Sequence, residues 1–545
     1  MKEMPATGWE QNVDPVITFP GTLWRATWTL PIAFSPTDRR TLYVARQKIF
    51  RTSNGGETWQ VISPDLSRPD EGAPSNLDAT TLAEDNGVKR HGVVYAIAPS
   101  PIRNGLVWAG TDDGYIWRTQ NALADPARVR WRNVTPSALR PWSKVGILEA
   151  SHFDANSAYA AVDRHRVDDY RPYILRTHDG GMTWAQISNG IPDGSFVNAV
   201  REDSRRRGLL YAGTERGMYV SFDDGDHWQS LQLNLPVTSV RDIVVHGNDL
   251  VIATHGRAFW MLDDISSLRQ LTAASPHADH LFVPATAYRV RPTNQEGTPL
   301  PLDEPQVDNA PAGLYVDYYL APGVNTPVEI QIFDRSGALV RRWSSAKPEK
   351  PVDPKSVPYT THWIARHPVP ASTYGAHRFV WDFHADSSDG PLVPPGSYTV
   401  RLTVNGHSYT QTATVLRDPR IKAGDGDLHA QYELATRVLA LREEVAAARG
   451  RAQRLAGSGK LSGEQLQSLR RDIVGEVAPD NPDDSVGAYS HDFTSFLYLE
   501  NSLDYLEGAI ESADAAPTPD MRTGYAKLNA IYRSTLARFN AMSGR

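Results

Sequence analysis

The sequence predicts a mainly β fold: a β-propeller with about five visible blades, then a small β-sandwich, then a C-terminal helical bundle. Three observations predict it. An eight-residue turn recurs at one fixed place inside a larger repeat. Apolar and polar residues alternate at period 2 from about Gly313. A helical period replaces that alternation from Asp427.

The turn is Thr177-His-Asp-Gly-Gly-Met-Thr-Trp184. Asp179 is placed to accept backbone amides, as Asp does in turns. Gly181 suits a backbone conformation that a Cβ penalises. Trp184 is expected to bury its ring beneath the turn. The same spacing places Asp223 before Trp228 in Ser221–Trp228, and Asn54 before Trp59 in Thr52–Trp59. A stretched copy runs from Thr119 and Asn121 to Trp131.

Each turn lies in a unit of four short β-rich runs. The second unit has Val94–Pro101, Leu106–Thr111 and Tyr115–Thr119, and the fourth has Val197–Asp203, Leu209–Thr214 and Met218–Ser221. Trp184 and Trp228 stand 44 residues apart, a blade-sized repeat. A lone blade cannot bury both faces, so neighbours must stack around an axis. Five units fall between Trp24 and Asp264. Beyond them, Leu314–Leu320, Val328–Asp334, Arg378–Phe383 and Ser397–Val404 alternate as sandwich strands. Leu428, Tyr432, Leu434, Val438, Leu441 and Val445 line one face of a long helix. A second helix starts at the cap Ser462-Gly-Glu-Gln, a third runs from about Phe493 to Ser512, and a fourth follows Pro517 and Pro519. The division is 1–270 for the propeller, 271–311 for a proline-rich connector, 312–418 for the sandwich and 424–545 for the bundle.

Totals exclude several functions. At 545 residues the chain holds more than one core. A net charge of −7 without a basic block gives no nucleic-acid footprint. The absence of cysteine excludes disulfides, thiol catalysis and thiolate-bound metals. The histidines show no His-x-x-x-His spacing, so no metal is expected, and nothing calls for a cofactor. Asp480–Ser485 looks like a cation loop but lacks the glycine and terminal glutamate of an EF-hand. No run of about 18 apolar residues exists to span a membrane, and no signal peptide is visible.

In a propeller the innermost strand, A, leads outward through B, C and D. The repeated turn joins C to D, so the B–C turns and D–A loops share the opposite face. There the chain places Arg46, then Asp112 and Asp113, then the insert carrying His165, Asp168, Asp169 and Tyr170, then Glu215 and Arg216, then His255 and Arg257. Asp112, Asp113, Asp168, Asp169 and Glu215 are candidate catalytic carboxylates, since glycoside hydrolysis needs two facing a sugar. Arg46, His165, Tyr170, Arg216, His255 and Arg257 are candidate ligand contacts. Asp-Asp-Gly and Glu-Arg-Gly are also ordinary turn tripeptides for backbone reasons alone.

The turn resembles the Asp box, or BNR repeat, of sialidase-superfamily propellers. In that resemblance Asn54, Trp59, Asp179, Trp184, Asp223 and Trp228 are structural. The sandwich is similar to the FlgD-type immunoglobulin-like module in its Phe333-Asp, Trp381-Asp and Pro395-Gly-Ser-Tyr398 signatures. Together the chain from about Trp24 to Arg545 resembles bacterial BNR-repeat proteins with sortilin-like or xyloglucanase-like propellers, often labelled glycosyl hydrolases. The resemblance implies a periplasmic or secreted protein. Such propellers usually have six or more blades. Either residues 1–23 and the tail of the fifth unit complete another blade, or a missing N-terminal propeller half or an oligomer partner does. Trp24 begins in mid-fold, which favours the missing half. The expected function is a module binding a glycan or peptide on the B–C and D–A face. A two-carboxylate glycoside hydrolase and a structural surface protein are the alternatives.

Overall fold

The computed structural model describes residues 2–4, 7–69, 73–77, 92–272, 278–291, 303, 309–346, 352–361, 364, 368–387, 390–475 and 493–543. The loop Asp480–Ser485 lies outside the described residues. Two compact units divide the chain, Met1–Ser275 and Pro276–Arg545.

Among the described residues the first unit is a β-propeller arc of five antiparallel blades, each built in chain order. Blade one is Ile32–Phe34, Leu42–Ala45, Ile49–Thr52 and Gln60–Val61. Blade two is Val94–Pro99, Val107–Thr111, Ile116–Thr119 and Trp131–Asn133. Blade three is Lys144–Ala150, Ala158–Arg164, Asp169–Thr177 and Ala185–Gln186, and blade four is Val197–Glu202, Leu210–Thr214, Gly217–Ser221 and Gln229–Ser230. Blade five has three strands among the described residues, Ser239–His246, Asp249–His255 and Phe259–Leu262.

The repeated turns close as their residue types dictate. The Thr177 hydroxyl donates to Asp179 and receives the Gly181 amide at 3.0 Å. Asp179 Oδ1 accepts the Thr183 amide at 2.9 Å, and Oδ2 accepts the Thr183 hydroxyl at 2.6 Å. Those Thr183 donors hold the Asp179 carboxyl down at about 2. Ser221–Asp223–His227 and Thr52–Asn54–Thr58 repeat the pattern. In the stretched copy Asn121 reaches across to the Arg130 amide at 3.1 Å.

Each tryptophan ring, expected beneath its own turn, reaches the preceding blade or segment instead. The indole N–H of Trp131 donates to Ile62 O, that of Trp184 to Val134 O, and that of Trp228 to Ile187 O. Trp59 makes the same bond to Val13 O, ahead of blade one. The turn glycine presses on that same acceptor residue. A Cβ on Gly181, at φ +83°, would stand 2.7 Å from Val134, and one on Gly225, at φ +89°, 2.3 Å from Ile187.

Four apolar clusters fill the four interfaces between successive blades. Tyr43 and Val107 meet at the first, Trp108 and Leu148 at the second, Tyr159 and Leu210 at the third, Tyr211 and Ile243 at the fourth. At the ends of the arc large apolar residues stay exposed. Ile32 and Phe34 do so on blade one, and Val244, Phe259 and Met261 on blade five.

The second unit packs two sheets. Leu314–Leu320 and Gly375–Trp381 pair in one, and Glu329–Phe333, Leu339–Ser344, Gly396–Val404 and His407–Arg417 in the other. His280–Leu281 joins the first sheet and Ala287–Arg289 pairs in parallel with the second, both from the proline-rich segment. Val316, Ile330, Trp381 and Val400 are fully buried between the sheets. The helices are Asp425–Ala456, Gly463–Ser468 continued by a π turn Leu469–Val474, Phe496–Glu511 and Pro519–Ser543. Ser462 and Gln465 cap the second helix reciprocally. No helix among the described residues is long and apolar enough to cross a membrane.

If the indole-to-carbonyl contact holds the blades together, Trp228→Ala should lower unfolding stability by about 3–5 kcal/mol, because its ring is buried. Trp228→Phe, which keeps a ring and loses the N–H, should fall between. Urea midpoints measure both, and a loss under about 1 kcal/mol for Trp228→Ala would be inconsistent with this account.

Candidate functional site

The innermost strands of blades two to five share one irregularity near their start. Pairing in blade two runs from Val94↔Thr111 to Ala96↔Gly110 and leaves Tyr95 without a ladder partner. Gly146 is skipped in blade three, Asn198 in blade four and Arg241 in blade five. A β-bulge of this kind re-aims the extra residue. All four bulge residues line one cavity of about 510 Å³, together with Lys144, Arg201 and Asp242. Thr29 and Ile32 close its blade-one side.

The cleft is mainly basic. Lys144 Nζ stands 4.0 Å from the centre of the Tyr95 ring. Burial would push the Tyr95 phenol up, but the Lys144 charge, hydrogen bonds with Lys144 and Thr29, and Arg166 outweigh it and bring it below its ordinary value. Arg201 is fixed by its neighbours: Nε donates to Ile243 O at 2.9 Å, and Nη2 meets Asp242 at 2.9 Å. Arg241 is exposed and points its guanidinium to Asn198 Oδ1 and Glu215 Oε2, each at 3.4 Å. Glycine at the blade-three bulge leaves the cleft open there.

The residues expected on the loop face have separate fates. Asp112 is buried and accepts the Val93 amide at 2.8 Å. Asp113 is buried too, held by the Thr111 hydroxyl at 2.5 Å and the Arg68 amide at 2.8 Å. Burial, with the Asp112 charge next, pushes its carboxyl up to about 6. Asp169 is gripped by Arg171 at 2.8 Å and Arg164 at 3.1 Å and receives the Tyr173 hydroxyl, so its carboxyl is held well below the usual range, chiefly by Arg171. Asp168 takes a left-handed conformation at φ 59° and is exposed. Arg46 pairs with Asp14 at 3.0 Å.

Three expected residues do gather. The His165 ring, bonded to Asp163 at 2.6 Å, stacks on Phe196 at 4.6 Å. Tyr170 lies 6.3 Å from the Phe196 ring. The Glu215 amide donates to Phe196 O, and its carboxylate accepts the Ser239 hydroxyl at 2.6 Å. His255 pairs across the ladder with Ser239. Arg216, His255 and Arg257 are exposed.

The cleft residues Tyr95, Lys144, Asn198, Arg201, Arg241 and Asp242 were not singled out from sequence. One signal was present: each bulge residue follows a valine at the head of an innermost strand, as Val94-Tyr95, Val145-Gly146, Val197-Asn198 and Val240-Arg241. Among the described residues no group of three His, Asp or Glu could hold a metal.

No protein-family description matches this chain, and no curated protein matches it. Solved structures do. An ancestral GH74 enzyme is 14% identical, with a TM-score of 0.32 over 60% of this chain and 40% of its own. The GH74 xyloglucanase from Xanthomonas campestris is 13% identical, with a TM-score of 0.26 over 71% and 74%. The β-propeller domain of Cps50 (Swd1) from Myceliophteria thermophila is 12% identical, with a TM-score of 0.31 over 60% and 90%. The chain thus spans less than half the length of the ancestral enzyme.

The raised Asp113 carboxyl has a pH signature. Between the ordinary carboxylate range and about 6 the folded state holds a proton that the unfolded state has lost. Stability from this site is therefore present at low pH and declines as pH rises through that window. Asp113→Asn removes the titration. Its stability relative to wild type should improve between about pH 4 and about pH 6.5. Paired urea titrations at the two values check this, and a constant difference would contradict it.

Proposed function

We propose that the blades form a binding module whose cleft takes an anionic, hydroxyl-rich ligand, an acidic glycan being the best match. One observation carries this. Lys144, Arg201 and Arg241 line the cleft with one lining carboxylate, Asp242. Arg201 pairs with Asp242 and with Glu149, Arg241 reaches Glu215 at 3.4 Å, and Lys144 sits over the Tyr95 ring. Three cations lining one cleft suit carboxylate or sulfate groups. The Tyr95 ring and Asn198 amide suit a sugar's apolar face and hydroxyls. His165, Tyr170 and Glu215 would extend the contact along the loop face.

Hydrolysis has less support. A glycosidase needs two carboxyls facing the sugar, about 5–9.5 Å apart. Asp112 and Asp113 are buried beneath their turn, and Asp169 is consumed by arginines. In the same reading the four turns are Asp boxes, the sandwich is a FlgD-like immunoglobulin-like module, and the protein is exported.

Affinity electrophoresis of the full chain against polygalacturonate and neutral xyloglucan tests the proposal. Retardation should be confined to the acidic polymer, weaken with added salt, and drop about tenfold or more in Arg241→Ala and Lys144→Ala. Equal retardation by both polymers would sink the anionic reading. Reducing-sugar release abolished by Asp113→Asn would favour the hydrolase instead.

A further inference from the structure

Blade five lacks, among the described residues, the fourth strand that its neighbours carry. In blade four that strand pairs as Val220↔Gln229 and Tyr219↔Ser230, and Trp228 precedes it. Superposing the second strands, Leu210–Thr214 on Leu250–Thr254, sets Met261 where Val220 stands and Trp260 where Tyr219 stands. A strand added there would lie against Met261 and Trp260 with a tryptophan one residue ahead.

The place for that tryptophan exists. Ile62, Val134 and Ile187 each follow a blade's fourth strand and accept the next blade's indole N–H. The equivalent in blade four is Leu231. No hydrogen bond reaches the Leu231 carbonyl among the described residues. Beside it lies a small, largely apolar pocket of about 60 Å³. Leu231, Leu235, Leu250, Ile252, Trp260 and Leu262 line it, from both blades.

The edge itself is ready to pair. Ala258 O accepts the Thr254 amide of the second strand, so by alternation the Trp260 and Leu262 groups face inward and those of Phe259 and Met261 face outward. Phe259 is 80% exposed and Met261 58%, on an edge that carries no lysine or proline to block pairing.

We infer that blade five is a docking site for an extended peptide strand that begins with a tryptophan. The strand adds to the Phe259–Leu262 edge, and its indole enters the pocket and donates to Leu231 O. Backbone pairing supplies attachment, and the pocket supplies selectivity for the ring. This site lies at the outer edge of the blade and does not rest on the proposed cleft ligand.

The probe is a fluorescein-labelled peptide with the sequence of residues 178–190, which contains blade three's tryptophan and fourth strand. Fluorescence anisotropy with the full chain should show saturable binding. Replacing Trp184→Ala in the peptide should weaken it about 30-fold or more. Met261→Pro in the protein, which removes one outward amide at an exposed edge, should weaken it as well. Absence of binding by the tryptophan peptide, or binding that the alanine peptide reproduces on the unaltered protein, would overturn the inference. That second comparison needs no protein variant and so does not depend on one folding.

Discussion

The propeller unit depends on a contact between one blade's turn and the blade or segment before it. An indole N–H crosses to a backbone carbonyl, while a left-handed glycine of the same turn presses on the side chain of that carbonyl's residue. The hydrogen bond alone is worth about 1 kcal/mol, and the ring it carries buries considerably more. A turn that is correctly closed by its Asp or Asn therefore also sets how one blade seats on the next. Local chemistry and blade stacking become one condition. In the stretched form between Asn121 and Trp131, which has no glycine, Asn121 still accepts the Arg130 amide and the Trp131 indole still reaches Ile62 O.

Much of this architecture could be read from residue order, because the deciding interactions are local. Asp179, Asp223 and Asn54 act within four residues of themselves. Ser462 and Gln465 cap a helix three residues apart. Leu434, Val438, Leu441 and Val445 mark a buried face by period alone. Two strands in the proline-rich segment escaped notice because two or three residues are too few to show alternation.

The site was harder for a physical reason. A bulge is a relation between two strands, and neither strand's sequence announces it. Tyr95 and Arg241 looked like ordinary members of alternating runs, yet each is the residue that its ladder skips. The loop carboxylates show the converse. Asp112, Asp113 and Glu215 occupy the same kind of turn, but Arg68 folds over Asp113 while Ser239 and Arg241 leave Glu215 at the edge of the cleft. Which acid is buried depends on what covers it, and the covering residues lie 24 to 45 positions away in the chain.

The bulges also separate what the scaffold needs from what the cleft displays. A residue outside the ladder contributes no cross-strand pair, so its identity can change while the blade's hydrogen bonding stays intact. The four positions already hold a phenol, no side chain, an amide and a guanidinium on otherwise equivalent strands. Chemical preference in this cleft can thus diversify one position at a time, on a frame whose ladder pairing does not involve the exchanged residue.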